Sequence, residues 1–272
     1  MGARKAGNFL FHLYVAAFLL YMLAPLAIMG GAALNNSAFP SVYPWAGFTD
    51  RWFLDLLKDG RMWSASLNTL WVALAVVALS LPIGTAAAIL INSLRGPART
   101  ILYGIMVAPI LTPGAVIGIS TLLFWHNFGV PAGLHLSALG QTSFIASYVM
   151  LLVLARLQSF DAGLEEAALD LGASHGQVLR RILMPHLYPA LGAGAVIGFF
   201  QSVENFNTTL FTRGNSETLT VYVGSKVRSG ITPTINALAL LLILVTVAAA
   251  IAYEVRRRRE EARLARLSAG AE

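Results

Sequence analysis

The sequence predicts an all-α membrane protein with six spanning helices, and three observations predict it. First, 57% of the 272 residues are hydrophobic and only 12% are charged, about half the charged share of an ordinary soluble domain. Second, six apolar blocks are of a length to serve as spans, against about 20 residues for a transmembrane helix. Third, the Lys and Arg residues are unevenly shared between the two sets of loops these blocks define. With the N-terminus inside, 13 of the 19 fall on the inner side and six on the outer, the bias that orients membrane proteins.

The first block runs from about Phe9 to Ala33. With Met1 to Lys5 ahead of it, it has the outline of a signal peptide. Its apolar run continues to Leu34, longer than a signal core of about 7–15 residues, so it reads as a retained first span. The outward stretch from Asn35 to Ala65 carries Trp45, Trp52, Phe53 and Trp63, aromatics expected in the interfacial belt. The second block, about Leu67–Ile91, opens on Asn68 and Thr69, which can cap or hydrogen-bond across helices. The third, about Ile101–Trp125, contains Pro109, Pro113 and Gly114. Those residues should kink or break it, and broken backbone at membrane depth is tolerated only against protein or a water-filled cavity. The helix is therefore either a wall of a translocation path or a site of close packing. The fourth block, about Phe144–Leu157, is short and should begin before Gln141. The fifth runs from about Ala190 to Phe211 and the sixth from about Ile235 to Tyr253. The chain thus divides into a first span with its outer loop (1–65), a membrane core (66–254) and a basic tail (255–272), where EVRRRREEARLAR should continue as a helix near anionic lipid. Both termini are expected to be cytoplasmic.

Between the fourth and fifth blocks lies the longest polar passage, Glu165 to Pro189, within a loop near 159–189. Glu165 and Glu166 suit the positive end of a helix, and Gly172-Ala173 should break it. A second helical piece follows, with Val178, Ile182 and Leu183 on one face, and Pro185 and Pro189 should stop it before the next span. The run Glu166-Ala167-Ala168, then Gly172, Ile182 and Pro185 at their spacing, resembles the EAA loop of ABC importer permeases. Met184 stands where that family usually has Leu. The resemblance implies the transmembrane domain of a type I ABC importer. It also implies an ATPase-coupling role for Glu165, Glu166, Ala167, Ala168, Asp170, Gly172, Ala173 and Pro185.

Glu204 sits about fifteen residues into the fifth apolar run. A charge at that depth is costly and marks either a passage or a pairing site. Gln201, Asn205 and Thr208 accompany it. Glu204 reads as a carboxylate contact for a polar or cationic solute, or as the partner of a cation on another subunit. The whole chain resembles the second permease of spermidine/putrescine importers. The likeness includes Trp45-Ala46-Gly47-Phe48-Thr49, Phe160-Asp161 and the stretch from Thr232 to Leu238. In that family an acidic pair occupies the positions of Glu204 and Asn205; here the second acid is an amide. The resemblance implies a polyamine or related amine as solute, with an amino-acid-like or guanidino solute as the alternative. It also implies a second permease subunit (or a second copy), two ATPases that bind ATP and Mg, an extracytoplasmic solute-binding protein, and a place in the bacterial inner membrane.

Other classes fit less well. The sequence has no Cys, which excludes disulfide and thiol chemistry. It has no GxxxxGK[ST], HExxH or GxSxG, so neither a phosphate-cradling loop nor an enzyme's constellation is apparent. His126 and His135 share an outer loop without an acidic partner there, so no metal role is assigned. The net charge of +6 is explained by membrane orientation, not by nucleic acid. A stand-alone secondary carrier would need ion-coupling groups, of which only Glu204 is a candidate.

Overall fold

The computed structural model describes residues 2–230 and 232–269. The side chains of residues 2–6, 249 and 262–269 lie outside that description, as do residues 270–272 of the basic tail. Arg4, Lys5, Arg263 and Arg266 of the charge count are among those side chains. The helices are α1 (Gly2–Leu34), α2 (Arg51–Lys58), α3 (Gly60–Ser93), α4 (Pro97–Leu111), α5 (Gly114–His126) and α6 (Leu134–Leu157). They continue with α7 (Ala162–Asp170), α8 (His175–Val178), a π-helical turn at Leu179–Leu183, α9 (Met184–Val203), α10 (Asn207–Thr212), α11 (Leu219–Ser229) and α12 (Pro233–Ala269). Among the described residues, five stretches are long and apolar enough to cross a membrane, and α4 with α5, taken as one broken span, make a sixth. The fold is all-α.

Two of the expected spans are built differently from the sequence reading. The third is two helices bent by 107° at Thr112-Pro113. Pro113 cannot donate to the ladder, and Pro109 has already removed one bond. Thr112 repairs part of the loss, its hydroxyl donating to Ala108 O at 2.9 Å and its N–H to Pro109 O at 3.2 Å. The fifth span starts earlier and ends earlier than expected. Pro185 and Pro189 do not stop the helix, which is continuous from His175 to Val203. The π-helical turn explains this. The Met184 N–H reaches back five residues to Leu179 O, widening the backbone just where the Pro185 ring would meet the preceding turn. Pro185 then falls in the first turn of α9, where no N–H is needed. The span ends at Glu204, and α10 is a separate short helix.

The chain forms two compact units, residues 61–224 and residues 1–60 with 225–272. In the first, Ile91 of α3, Val149, Met150 and Val153 of α6, and Leu187 of α9 form the core. Glycines let these helices approach. A Cβ on Gly84 would lie 2.5 Å from Ala146 O, and one on Gly198 would lie 3.0 Å from the Ile145 side chain. Asn68 and Thr69, the expected cross-bonding pair, both hold the segment ahead of α11. Asn68 Nδ2 donates to Glu217 O at 2.9 Å, and Thr69 Oγ1 accepts from Leu219 N at 2.7 Å.

In the second unit α12 packs on α1 and α2, with Ala33, Trp52 and Ala237 buried together. Trp52 is a core residue rather than part of an interfacial belt. Its Nε1 donates to the main-chain oxygen of Asn35 at 2.9 Å. The Asn35 side chain in turn organises the following loop, donating to Ser41 O and Pro44 O and accepting from Ala46 N. Trp45 stays half in the open against Phe48. Beyond the span, α12 continues as the expected helical extension. Arg257 pairs with Glu261 and Arg258 with Glu254, one turn apart.

The Gly84 contact yields a test. Gly84→Ala would force α3 away from α6, and overpacking of this kind costs about 1–3 kcal/mol. The variant is expected to show a lower thermal unfolding midpoint in detergent than the parent, although alanine is the better helix former.

Candidate functional site

The break at Thr112-Pro113 and the break at Glu204–Phe206 face a common recess of about 300 Å³. Pro109, Thr112 and Gly114 line it from the first break; Gln201, Glu204, Asn205, Phe206 and Asn207 line it from the second. Phe144 and Tyr148 of α6 complete the wall. Glu204 is the C-cap residue of α9, its N–H bonded to Phe200 O at 3.1 Å. Its side chain is exposed and is the single ionisable carboxyl among the lining residues. Each break contributes one helix C-terminus (α4 or α9) and one N-terminus (α5 or α10), whose partial charges oppose one another, so the Glu204 carboxyl sets the sign. The recess is thus a small polar space with negative potential and three aromatic rings, a combination suited to an ammonium or guanidinium group.

The other polar residues of this region have more local tasks. Asn205 Oδ1 accepts from Thr208 N at 3.2 Å and from Thr209 N at 3.3 Å, capping α10. Its carbonyl accepts from Thr220 Oγ1 at 3.2 Å. Thr208 is fully buried and donates its hydroxyl to Gly114 O at 3.1 Å, tying α10 to the start of α5. Gly114, Gly118 and Gly140 make room for it; a Cβ on Gly118 would stand 2.8 Å from Thr208 O. Of the four residues proposed from sequence, Gln201, Glu204 and Asn205 line the recess and Thr208 lies behind it. Phe144 and Tyr148 were missed, because an aromatic in an apolar span carries no signal of its own. In the sequence Gln141 serves only as a boundary of the fourth block, although a lone amide inside a span is itself a signal.

The 159–189 loop forms a separate surface feature. Asp161 N-caps α7, its carboxylate accepting from Gly163 N at 2.9 Å. The first helical piece therefore opens at Ala162, and Glu165 lies in its first turn. Gly172 has φ +86°, the left-handed conformation that ends α7 and starts the turn. Ser174 and Gln177 then form a reciprocal capping box for α8. Glu166, Ala167, Asp170, Gly172 and Pro185 are exposed, while Glu165, Ala168 and Ala173 are half-buried. Leu171, at the tip, is 89% exposed. The loop is fastened to the end of α6 by Arg156 Nε donating to His186 O at 3.0 Å and by Phe160 packing on the His186 ring.

A bent third span, a fifth span ending at a carboxylate, and a capped helical hairpin exposed at that span's other end define a multi-helix membrane transport component. Solved structures share this fold. A bacterial ABC transporter involved in the import of the acidic polysaccharide alginate matches with TM-score 0.69 at 16% identity, covering 93% of this chain and 97% of that one. The MetNI methionine ABC transporter, in an inward-facing form, matches with TM-score 0.57 at 18% identity over 77% of this chain and 97% of that one. Residues 80–261 match the family of binding-protein-dependent transport system inner membrane components, and the chain belongs to that family. Among its relatives, the putrescine transport system permease protein PotI of Escherichia coli K12 is 33% identical over 81% of both chains. The spermidine/putrescine transport system permease protein PotC of the same organism is 29% identical over 84% of this chain and 86% of its own length.

Asn205 gives this site its prediction. Asn205→Asp keeps the oxygen that caps α10 and is expected to unfold at the parent's temperature. Asn205→Ala removes the cap, at a cost of about 1 kcal/mol, and should lower the thermal midpoint.

Proposed function

We propose that this chain is a permease subunit of an ATP-driven importer and that it passes an amine, a di- or polyamine, across the bacterial inner membrane. The observation that carries the reading is the meeting of two broken spans around Glu204. A cationic solute is favoured there by one carboxylate and three rings. The names of the relatives point to the same class of solute. A single carboxylate beside Asn205, whose oxygen is already committed to α10, also suits a monocationic or guanidino solute, and that is the second reading.

In the proposed assembly the chain pairs with a second permease, or with a second copy of itself. Two separate ATPases bind ATP and Mg, and a solute-binding protein delivers the amine from outside. Both termini and the 159–189 loop face the cytoplasm in this arrangement, which the distribution of Lys and Arg supports. The exposed loop around Glu166 and Gly172 docks on the ATPase. Closure of the nucleotide sandwich moves the loop, and the continuous helix from His175 to Val203 carries that movement to Glu204 as a rigid body. The solute is released from the recess when the spans rearrange.

Two experiments test this. In proteoliposomes containing the complete transporter, Glu204→Gln should weaken putrescine uptake about tenfold or more, since a hydrogen bond to a charged group contributes about 1.5–3 kcal/mol. Unchanged uptake would remove Glu204 from the path. Gly172→Trp should abolish the link between ATP hydrolysis and uptake with insertion intact, whereas Gly172→Asn, which tolerates the left-handed conformation, should keep most of it. Normal uptake in Gly172→Trp would overturn the docking assignment.

A further inference from the structure

Thr142, Ser143 and Ser147 of α6 bond to carbonyl groups of their own helix. Ser137 and Gln141 bond across to other helices instead, Ser137 to the Thr212 hydroxyl of α10 at 2.9 Å and Gln141 to two helices at once. Gln141 is fully buried, its Oε1 accepts from Ser202 Oγ at 2.5 Å, and its Nε2 donates to Thr209 Oγ1 at 2.8 Å. Ser202 belongs to the last turn of α9 and Thr209 to α10, so one side chain holds both stumps of the broken fifth span. Thr209 Oγ1 passes its own proton towards Asn205 Oδ1, 3.4 Å away. The bonds therefore form a directed chain, from Ser202 to Gln141, from Gln141 to Thr209 and from Thr209 to Asn205. It closes around the backbone that carries Glu204.

We propose that Gln141 is a positioning residue for the solute recess: it fixes the angle at the 204–206 break, and through it the place of the Glu204 carboxylate, without touching the solute. The inference rests on the reading of the recess as the solute site. The amide suits this task because it offers an acceptor and a donor at opposite sides of one planar group while carrying no charge. A leucine would fill similar space but remove the one side chain that bonds to both stumps, leaving α10 held by Ser137 and Thr208 without a tie to the end of α9. Removing the amide alone would also leave the buried Ser202 hydroxyl without its acceptor and the Thr209 oxygen without its donor, a general destabilisation, so the test must separate position from stability.

The chain contains no Cys, which makes Asn207→Cys, in the recess wall, a single reporter. The readout is the putrescine concentration that halves its modification by a thiol reagent, followed by the mass of this chain in the complete transporter in nanodiscs. Gln141→Leu is expected to raise that concentration about tenfold, the loss expected when a charge-assisted contact is misplaced. Adding Ser202→Ala and Thr209→Val removes the stranded hydroxyls. The triple variant should regain the thermal midpoint yet keep the raised concentration. In the Glu204→Gln background, Gln141→Leu should add less than about twofold, because residues acting through one group are not additive.

Each of the following results would overturn the proposal, and they differ from one another. If putrescine gives no protection at all, the recess reading falls. If protection is present but indifferent to Glu204→Gln, the carboxylate is not the contact. If Glu204→Gln weakens protection and Gln141→Leu does not, only the role of Gln141 is wrong. If the triple variant returns to the parent's concentration, Gln141 serves stability alone. Should Gln141→Leu fail to insert, Thr209→Val, which cuts one link, must shift the concentration in the same direction; no shift would again refute the positioning role.

Discussion

A helix interrupted inside an apolar layer leaves N–H and C=O groups that lipid cannot satisfy, and most of this site can be read as the answer to that constraint. Thr112 bonds to Ala108 and Pro109 at the first break. Asn205 takes the N–H groups of Thr208 and Thr209 in the first turn of α10 at the second, and Thr220 bonds its carbonyl. Thr208 joins the two breaks by donating to Gly114 O. Once those groups are satisfied from within, the carboxylate of Glu204 is left open to the recess. The polar residues around it are therefore mainly the supports of a distorted backbone, and the charge is the part addressed to a ligand.

The same fifth span connects the recess with the exposed hairpin. From His175 to Val203 it is one continuous helix of 29 residues, about 43 Å at 1.5 Å per residue. The π-helical turn at Leu179–Leu183 is what keeps it continuous across Pro185. At one end lie Gly172 and the exposed Leu171; at the other lies Glu204. In the proposed transport cycle this rod is the mechanical link, and the close approach of Gly198 to Ile145 of α6 lets it move with that neighbour as a packed block.

Much of this was legible in the sequence, for physical reasons that differ from element to element. The spans were readable because apolar length is set by the bilayer and not by tertiary contacts. Glu204 stood out because a charge in a span is rare, and Gly172 because a capped helix pair needs a left-handed turn between its pieces. The readings of Pro185 and Pro189 as helix stops failed because a π-helical turn absorbed the first, a device without a sequence signature. The sequence assigns Trp52 to the interfacial belt because hydropathy cannot tell a ring facing lipid from one buried against Ala33 and Ala237. The role of Thr208 was hidden for a similar reason, since its partner, Gly114, lies 94 residues earlier.

The central claim is that the two breaks enclose a water-accessible recess whose potential is set by Glu204. The most direct measurement is the rate at which Gln201→Cys reacts with a cationic and with an anionic thiol reagent of similar size, compared with Val196→Cys on the outer, exposed face of α9. The account predicts that Gln201→Cys reacts, that the cationic reagent is faster, and that Glu204→Gln removes most of the preference while Val196→Cys remains unreactive in the bilayer. An inert Gln201→Cys, or a preference unchanged by Glu204→Gln, would contradict it.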